Sequence, residues 1–595
     1  MTGGCWRSVT RPGRRNSQWA AAGRSGSIAF PGGQQGAAIP EGGSLSEHDD
    51  FVAELIAERQ LPADDVWKAA EARLDWPISK GLNTAHEACD RWARDRARLA
   101  MILVHPDGRR EQWTFAELSR ASRQLATAWA EAGLQRGDRV AGLIGQQVEA
   151  YIAALAAWRA GFVYLPLFVG FGADGLAQRL KDGDPAVVVV DALHRGALGG
   201  ALDLMDTEPL VYTIAGTAGA GLVRGDFSFW AELGRHGAHT ETVVTAPDEL
   251  ATLMYTSGTT GAPKGCLQSH SLPLTIQPFL RHTFALEPGD MLFTGANPGW
   301  SYGLYTTGIG PMSLGHPRVV WTGNFDPQAW LKVFEQEQVT YVAAAPSAFR
   351  RLTAEAQRHG LPDSIRGATS AGEPLDAPLA TAWRDLAGSD IQDGYGASET
   401  AMVLANLAYA EAPAVPGALT SVTPGFEVEL VDDNGHAQAT EGILALRHPR
   451  YQASNGYRHR QEQWAARWRG DKFLTGDMFR LDTHGRYRFV GRSDDLIVTS
   501  GYNVGPSEVE EVILAHPAVT EAAVVGAPDA ARGTVVRAVV VTNGSVPPDQ
   551  LREDLRSAVR DRLGRHAYPR IIDFVDELPK TDSGKVRRNL LRSPA

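Results

Sequence analysis

Apolar, strand-like segments alternate with helical segments in the first half of the chain, and this alternation is the feature that most restricts the fold. Thr114 and Glu117 have the spacing of a helix capping box, and apolar residues then recur at helical intervals until Gly133. The segments VAGLI, VYLPL, AVVVVD and TLMYT follow, and helical stretches separate the first three. Because parallel strands need a crossover between them, this order predicts an α/β protein with largely parallel sheets.

The two ends of the chain differ from this pattern. The first forty residues contain five arginines, no acidic residue and no apolar periodicity. We therefore expect residues 1–48 to form a disordered extension. From about residue 494 a separate pattern of strands and helices begins, and it includes an amphipathic helix that ends at Gly564. The expected organisation is a large domain over 49–493 and a small domain over 494–595.

Composition and charge exclude several classes of function. Lysine and arginine total 58 while aspartate and glutamate total 69, and the net charge of −11 argues against a nucleic-acid-binding protein. The three cysteines form no CxxC pair, and HEACD at 86–90 lacks the second histidine of an HExxH zinc motif. No apolar run reaches the roughly 18 to 20 residues of a membrane-spanning helix. We expect a cytoplasmic protein whose partners are small molecules.

The segment YTSGTTGAPKG, residues 255–265, is a loop rich in glycine and hydroxyl residues at the end of an apolar strand. In such a loop, backbone N–H groups approach phosphate oxygens closely, and Lys264 adds a positive charge. It is not a Walker A loop, because the GxxxxGK[ST] pattern is absent and Pro263 stands where the phosphate-capping helix would begin. Taken alone, a loop of this composition predicts either a nucleotide phosphate site or a solvated turn.

The whole segment resembles the phosphate-binding signature of the adenylate-forming superfamily, which includes acyl-CoA synthetases, peptide-synthetase adenylation domains and luciferases. Further segments resemble the other motifs of that family in the same order: AGEP at 371–374, GYGASE at 394–399, TGD at 475–477, the stretch 491–510 and LPKTDSGK at 578–585. The resemblance implies an α/β fold with a large multi-lobed N-terminal domain of βα-layered sheets. It also implies a small α+β C-terminal domain that rotates on a hinge at Asp494.

The resemblance assigns individual residues to ATP. The residues assigned to the nucleotide are Thr256, Ser257, Gly258, Thr259, Thr260, Lys264, Gly372, Glu373, Pro374, Tyr395, Asp477 and Arg492. Asp477 offers two oxygens to the two ribose hydroxyls, a pairing that a neutral residue makes less strongly. A solvated aspartate in a turn is the alternative for this position.

Three residues are assigned to the chemistry of adenylation. Glu399 is a hard oxygen ligand suited to Mg²⁺, and the hydroxyl of Ser398 can donate to phosphate oxygens. The resemblance implies that Lys585 bridges the attacking carboxylate and the α-phosphate as pyrophosphate leaves. The alternatives are a glutamate at the edge of the core and a lysine on the terminal surface.

Coenzyme A and the acid have assigned positions as well. The Gly501 backbone and Arg560 correspond to contacts with coenzyme A in the family. Trp300, Tyr302 and Gly303 would line the acyl pocket. In acetate-specific members a tryptophan closes this pocket, and Gly396 stands at the matching position here. An open pocket that accepts a medium-chain or aromatic acid is therefore expected.

The implied reaction is that of an acyl-CoA synthetase, which uses ATP, Mg²⁺ and coenzyme A. The acid attacks the α-phosphate to give an acyl-adenylate and pyrophosphate, and a thiol then displaces AMP. The sequence ends ten residues after Lys585 without a carrier domain, which favours coenzyme A as the thiol. Two alternatives stay open: a stand-alone adenylating enzyme that loads a separate carrier protein, and a non-catalytic homologue, against which the presence of Lys585, Asp477 and Glu399 argues.

Overall fold

The computed structural model describes residues 47–206, 208–216, 221–256, 263–410, 414–493, 495–499, 502–529, 533–565, 567–580 and 586–592. Several predicted features lie outside these residues, namely positions 1–46 of the expected extension, Ser257, Gly258, Thr259, Thr260, Asp494, Gly501 and Lys585. The last two residues assigned to the extension belong instead to a helix, Glu47–Glu58, in which the His48 ring lies 3.0 Å from the Glu287 carboxylate. The structural account below concerns the residues from His48 onward.

Helices occur throughout the described part of the chain. The α-helices are α1 (Glu47–Glu58), α2 (Ala63–Ala72), α3 (Phe115–Glu131), α4 (Val148–Arg159), α5 (Ala173–Gly183), α6 (Arg195–Leu202), α7 (Phe229–Arg235), α8 (Leu272–Phe279), α9 (Gly310–Ser313), α10 (Pro327–Gln336), α11 (Pro346–His359), α12 (Ala377–Ala387), α13 (Gln461–Ala465), α14 (Pro506–Leu514), α15 (Pro548–Leu563) and α16 (Arg588–Leu591). Short π-helical segments cover His86–Asp90, Leu280–Phe284 and Tyr302–Ile309. The predicted capping box is confirmed, because the Thr114 hydroxyl accepts from the Glu117 N–H while the Glu117 carboxylate accepts from the Thr114 N–H.

The strands fall into two groups, those that precede the GYGASE segment and those from it onward. The first group is β1 (Leu99–Val104), β2 (Arg110–Thr114), β3 (Arg139–Leu143), β4 (Val163–Leu167), β5 (Val187–Asp191), β6 (Leu210–Ile214), β7 (Phe227–Ser228), β8 (Leu250–Thr256), β9 (Lys264–Ser269), β10 (Leu292–Thr294), β11 (Arg318–Trp321), β12 (Tyr341–Ala343) and β13 (Gly367–Ala371). The second group is β14 (Ile391–Ala397), β15 (Ala401–Ala405), β16 (Ser421–Val422), β17 (Val428–Val431), β18 (Glu441–Arg447), β19 (Ser454–Tyr457), β20 (Trp468–Arg469), β21 (Lys472–Leu481), β22 (Tyr487–Arg492), β23 (Ile497–Thr499), β24 (Tyr502–Val504), β25 (Val519–Asp529), β26 (Gly533–Thr542) and β27 (Ile571–Phe574).

Two large sheets form the body of the protein. One has nine strands in the order β16-β15-β14-β13-β12-β10-β11-β1-β2, and its central pairs are parallel. The other has eight strands in the order β19-β9-β8-β4-β3-β5-β6-β7, parallel from β8 to β7 and antiparallel at the β8–β9 and β9–β19 pairs. The expected α/β class with largely parallel sheets is thus confirmed.

The later strands build smaller, mainly antiparallel sheets. Strands β17, β18, β20, β21 and β22 form one sheet, and β25, β26 and β27 form another near the C-terminus. The parallel pair β26–β27 is connected through α15, whose Leu551, Leu555 and Val559 are fully buried. The apolar spacing read from the sequence therefore marks the core face of this helix. Within the described residues, no helix has the length and apolar character that crossing a membrane requires.

The HEACD segment has a structural role. Asp90 and Arg159 form a two-point ion pair, with Arg159 Nη2 2.8 Å from Asp90 Oδ1 and Nη1 3.1 Å from Oδ2, and the Arg159 side chain is fully buried. Ser119 and Thr242 also donate to the Asp90 carboxylate, at 2.6 and 2.5 Å. Burial alone would raise the pKa of Asp90, but the charge and hydrogen bonds of Arg159 and the two hydroxyls hold it below its usual value.

We expect Asp90→Ala to destabilise the large domain strongly, because it leaves the Arg159 guanidinium buried without its carboxylate. Loss of one partner from a buried ion pair costs about 3 to 5 kcal/mol. Thermal unfolding measures the effect as a lower midpoint. The matched control is Asp549→Ala, which breaks an aspartate–arginine pair whose carboxylate is 99% exposed. Equal shifts for the two variants would contradict a stabilising role for the buried pair.

Candidate active site

Two of the predicted segments lie side by side at the carboxyl ends of parallel strands. AGEP follows β13 and GYGASE ends β14, and these strands pair with Ala371 opposite Gly394. Gly372 has a φ of +91°, a conformation that favours glycine, and it turns the chain away from the sheet. The carboxyl ends of parallel strands are the usual place for ligands in α/β proteins. The register therefore explains why two segments about twenty residues apart in sequence share one site.

The Asp477 carboxylate is held by groups from two other segments. The Tyr395 hydroxyl donates to Asp477 Oδ2 at 2.5 Å, and Arg492 Nε lies 3.3 Å from Oδ1. Asp477 and Arg492 are direct cross-strand partners in the β21–β22 pair. Burial and the Asp477 carboxylate raise the pKa of the Tyr395 phenol well above its usual range, so it stays a hydrogen-bond donor. Three predicted nucleotide residues are therefore in direct contact.

Glu399 and Lys264 both lie beside Tyr457, where the nine-stranded and the eight-stranded sheet meet. The Tyr457 hydroxyl donates to Glu399 Oε1 at 2.6 Å, and Lys264 Nζ lies 5.5 Å from the Tyr457 ring centre. Burial and the neighbouring arginines, Arg467 foremost, lower the pKa of Lys264, while the Glu399 carboxylate opposes this shift. Both side chains are half-buried and so remain within reach of a ligand.

Strands β8 and β9 form the hairpin that carries the glycine-rich loop. Thr256 stands opposite Lys264 in the register, and its hydroxyl lies 3.5 Å from the Lys264 carbonyl. The chain after Pro263 continues as β9 and not as a helix, which confirms the exclusion of a Walker A loop. Lys264 is thereby fixed at the start of a strand whose next residues, Gly265 and Cys266, are buried.

The segment on the predicted adenine side is ordered by short polar contacts. The Glu373 carboxylate accepts from the Ser347 N–H at 3.1 Å and from its hydroxyl at 3.3 Å, and Pro374 directly follows. Asp393, which the sequence analysis did not single out, lies between this segment and GYGASE. Burial raises the pKa of its carboxyl group to about 7, against the hydrogen bonds from the Gly394 N–H and the Ser370 hydroxyl. The signal that could have identified it is its position directly before GYGASE.

Three of the four residues assigned to the acyl pocket, Trp300, Tyr302 and Gly303, lie on one π-helical segment and the turn before it. The Trp300 ring packs against Phe168 and Phe171, with ring centres 5.4 and 5.7 Å apart. Burial raises the pKa of Tyr302 well above its usual range. A Cβ atom on Gly303 would lie 2.0 Å from the Asn297 carbonyl oxygen, so this glycine is required for close backbone packing and offers no free space.

The expectation of open space at Gly396 is wrong. A Cβ atom built on Gly396 would lie 2.1 Å from the Ala401 carbonyl oxygen and 2.8 Å from the Met402 Cα. The cause is the pairing of β14 with β15, in which Gly396 stands opposite Met402 next to an irregularity in the register. The missing side chain therefore accommodates a neighbouring strand, and it does not open an acyl pocket.

Gln268 connects the edges of the two large sheets. Gln268 of β9 donates through Nε2 to the Ser398 carbonyl at 3.0 Å and lies 3.3 Å from the Ser301 hydroxyl. Gln268 and Tyr457 were missed in the sequence analysis because neither belongs to a recognisable motif.

Arg560 lies on α15, where it is half exposed and contacts Asp561 and the Ser557 hydroxyl. The structure brings Arg560 to none of the other predicted residues among those described.

The acidic residues present fit a Mg²⁺ ion that arrives with a nucleotide. Within the residues described here, no group of three or more histidine, cysteine or acidic side chains could hold a metal ion. Mg²⁺ commonly keeps several waters and is bound by one or two carboxylates together with substrate phosphates. Glu399 is half-buried, and no described residue donates a hydrogen bond to its Oε2 atom. This single oxygen donor is what such a site requires of the protein.

Comparison with known proteins agrees with this geometry. The pattern described as AMP-binding enzyme matches residues 86–458, and that of the AMP-binding enzyme C-terminal domain matches 508–585. The chain belongs to the AMP-binding enzyme family. It is 30% identical over 539 residues to human mitochondrial acyl-coenzyme A synthetase ACSM3, with 87% of this chain and 90% of that protein covered.

Solved structures show the same relationship. The crystal structure of an acyl-CoA synthetase from Brucella canis is 34% identical, with a TM-score of 0.70 over 92% of this chain and 98% of the other. The anthranilate CoA ligase AuaEII, in complex with anthranoyl-AMP, is 26% identical, with a TM-score of 0.80 over 89% and 98%. The expected membership of the adenylate-forming superfamily is confirmed, and this family member is an AMP-forming acid–thiol ligase.

We expect Gly396→Ala to lower the thermal midpoint and to reduce turnover with every acid, because the new Cβ must displace backbone of β15. Overpacking of this kind costs about 1 to 3 kcal/mol. The control is Gly172→Ala, since a Cβ there meets nothing within 4 Å and the φ of −71° suits alanine. If Gly396→Ala kept wild-type stability and instead shifted preference toward acetate, Gly396 would belong to the acyl pocket after all.

Proposed function

We propose that this protein is an acyl-CoA synthetase for a medium-chain or aromatic carboxylic acid. The observation that carries the proposal is the arrangement of two carboxylates, each oriented by a tyrosine hydroxyl. Asp477 accepts from Tyr395, and Glu399 accepts from Tyr457, which pairs with β9 of the hairpin. One carboxylate would receive the ribose hydroxyls of ATP, and the other would hold Mg²⁺. The bound ion would neutralise charge on the phosphates.

In the first half-reaction, a carboxylate oxygen of the acid attacks the α-phosphorus of ATP, and the bond to pyrophosphate breaks. Lys264 and the loop 256–260 would hold the phosphates, and the Ser398 hydroxyl would donate to a phosphate oxygen. Gly372, Glu373 and Pro374 would contact the adenine ring of ATP. Lys585 would neutralise charge between the carboxylate and the α-phosphate.

In the second half-reaction, the thiol of coenzyme A attacks the acyl carbon, and AMP leaves. Gly501 and Arg560 would contact coenzyme A after the small domain turns about Asp494. In the structure, Arg480 of β21 is paired with Glu441 at 2.6 Å and also with Glu508 of α14, a helix of the C-terminal region. A rotation of that region would have to exchange this ion pair for other contacts.

We attribute the proposed preference for a larger acid to aromatic side chains and not to Gly396. Trp300, with Phe168 and Phe171, presents an apolar surface beside Tyr302. Ser301, between Trp300 and Tyr302, is linked through Gln268 to Ser398 of the GYGASE segment. This link supports the proposal that the aromatic cluster would contact the acyl group, since apolar chains or rings gain most from burial against such side chains.

Pyrophosphate exchange over a panel of acetate, butyrate, hexanoate, octanoate, benzoate and anthranilate tests the proposal. We expect kcat/KM to rise about fourfold per carbon until the pocket is full, because burying a methylene contributes about 0.8 kcal/mol. Repeating the assay with coenzyme A and with a carrier protein as acceptors separates the proposed ligase from a stand-alone adenylating enzyme. No exchange with any acid would indicate a non-catalytic homologue, and a preference for acetate would overturn the proposed substrate class.

We expect Lys585 to act in the first half-reaction and not in the second. Lys585→Ala should reduce acyl-adenylate formation by several orders of magnitude and largely spare thioester formation from supplied acyl-adenylate. Single-turnover measurements of the two half-reactions check this. Lys580→Ala is the matched control, since Lys580 pairs with Glu521 on the surface at 2.7 Å. Equal loss in both half-reactions would contradict the role given to Lys585.

A further inference from the structure

Tyr457 lies outside every motif used to assign the function, yet it contacts the proposed metal ligand directly. Its hydroxyl donates to Glu399 Oε1 at 2.6 Å, and the residue is only 3% exposed. A phenol is a neutral donor, so it orients a carboxylate without cancelling its charge, whereas an arginine or lysine would do both.

The backbone around Tyr457 is fastened to the hairpin that carries the glycine-rich loop. Tyr457 stands opposite Cys266 in the β9–β19 pair, and the Arg458 N–H donates to the Gly265 carbonyl at 2.8 Å. Arg460 Nη2 also donates to the Pro263 carbonyl at 3.3 Å. The position of the Tyr457 hydroxyl is thus set by the same strand that begins with Lys264.

The ring of Tyr457 is fixed from the other side as well. Trp464 packs against it edge to face, with ring centres 5.2 Å apart. The two ends of the hydrogen bond belong to different sheets, because Tyr457 is on β19 of the eight-stranded sheet and Glu399 follows β14 of the nine-stranded sheet. The bond therefore connects the two sheets at the GYGASE segment, in addition to the bond from Gln268 to the Ser398 carbonyl.

We infer that Tyr457 is a positioning residue for the metal ligand Glu399. Because Oε1 accepts from the Tyr457 hydroxyl, Glu399 would hold Mg²⁺ through Oε2, and the ion would neutralise charge on the phosphates of ATP. This inference rests on the proposed function, since it assumes that Glu399 binds the ion that accompanies ATP. Groups that orient a metal ligand typically contribute 10- to 100-fold to metal affinity or activity.

Tyr457→Phe tests the inference, because it removes one oxygen and keeps the ring that packs on Trp464. We expect the half-saturating Mg²⁺ concentration for pyrophosphate exchange to rise at least tenfold. Thioester formation from supplied acyl-adenylate should change by less than twofold, because pyrophosphate and its counterion take no part in that step. Tyr451→Phe is the matched control, since Tyr451 donates to the Glu71 carboxylate at 2.8 Å away from Glu399.

A binding measurement separates positioning from a general loss of activity. Titration of Mn²⁺ by electron paramagnetic resonance, with ATP present and no acid, should show at least tenfold weaker binding to Tyr457→Phe than to the wild type or Tyr451→Phe. The same substitution in a Glu399→Gln background should have little further effect, and this cycle also corrects for any shared loss of stability.

The outcomes distinguish failure of the inference from failure of the proposed function. A wild type without pyrophosphate exchange would overturn the proposed function. A wild type with exchange, and a Tyr457→Phe variant that binds Mn²⁺ within twofold of it, would overturn the inference alone. Equal slowing of both half-reactions in Tyr457→Phe would likewise show that Tyr457 acts on the fold and not on the metal ligand.

Discussion

Two tyrosine hydroxyls orient the two carboxylates on which the candidate site depends. Tyr395 donates to Asp477, and Tyr457 donates to Glu399. A carboxylate removed from water needs hydrogen bonds to stay ionised. At Asp477, Arg492 Nε also lies 3.3 Å from Oδ1 and adds a positive charge. A neutral phenol satisfies one oxygen and leaves negative charge for a ribose hydroxyl or a cation. A tyrosine hydroxyl thus orients a carboxylate twice in one site, with residues from three different segments.

This arrangement explains why the protein needs two sheets that meet. GYGASE ends a strand of the nine-stranded sheet, and the glycine-rich hairpin belongs to the edge of the eight-stranded sheet. Neither of these two sheets alone holds both Glu399 and Lys264. Gln268 and Tyr457 connect the two edges through hydrogen bonds to Ser398 and Glu399. The junction therefore fixes the distances that an enzyme acting on ATP must control to within about half an ångström.

Close packing also decides which apparent openings are real. The sequence suggests open space at Gly396, but a Cβ atom there would meet the backbone of β15, and one on Gly303 would meet the Asn297 carbonyl. Glycine at a strand position often marks the close approach of another chain segment and not a cavity. Trp300, Phe168 and Phe171 pack against one another as a group of aromatic rings, and their role as walls of an acyl pocket is part of the proposed function.

The sequence by itself determined the α/β class, the capping box at Thr114, the apolar face of α15 and the family, because periodicity and ordered motifs are local properties of the chain. It also determined that no Walker A helix follows Pro263. Only the tertiary structure decided that Tyr457 and Gln268 reach the GYGASE segment, that Asp90 serves Arg159 and that Gly396 faces β15. These contacts join residues that are distant in sequence, and their geometry follows from strand register and sheet packing, which short-range patterns do not encode.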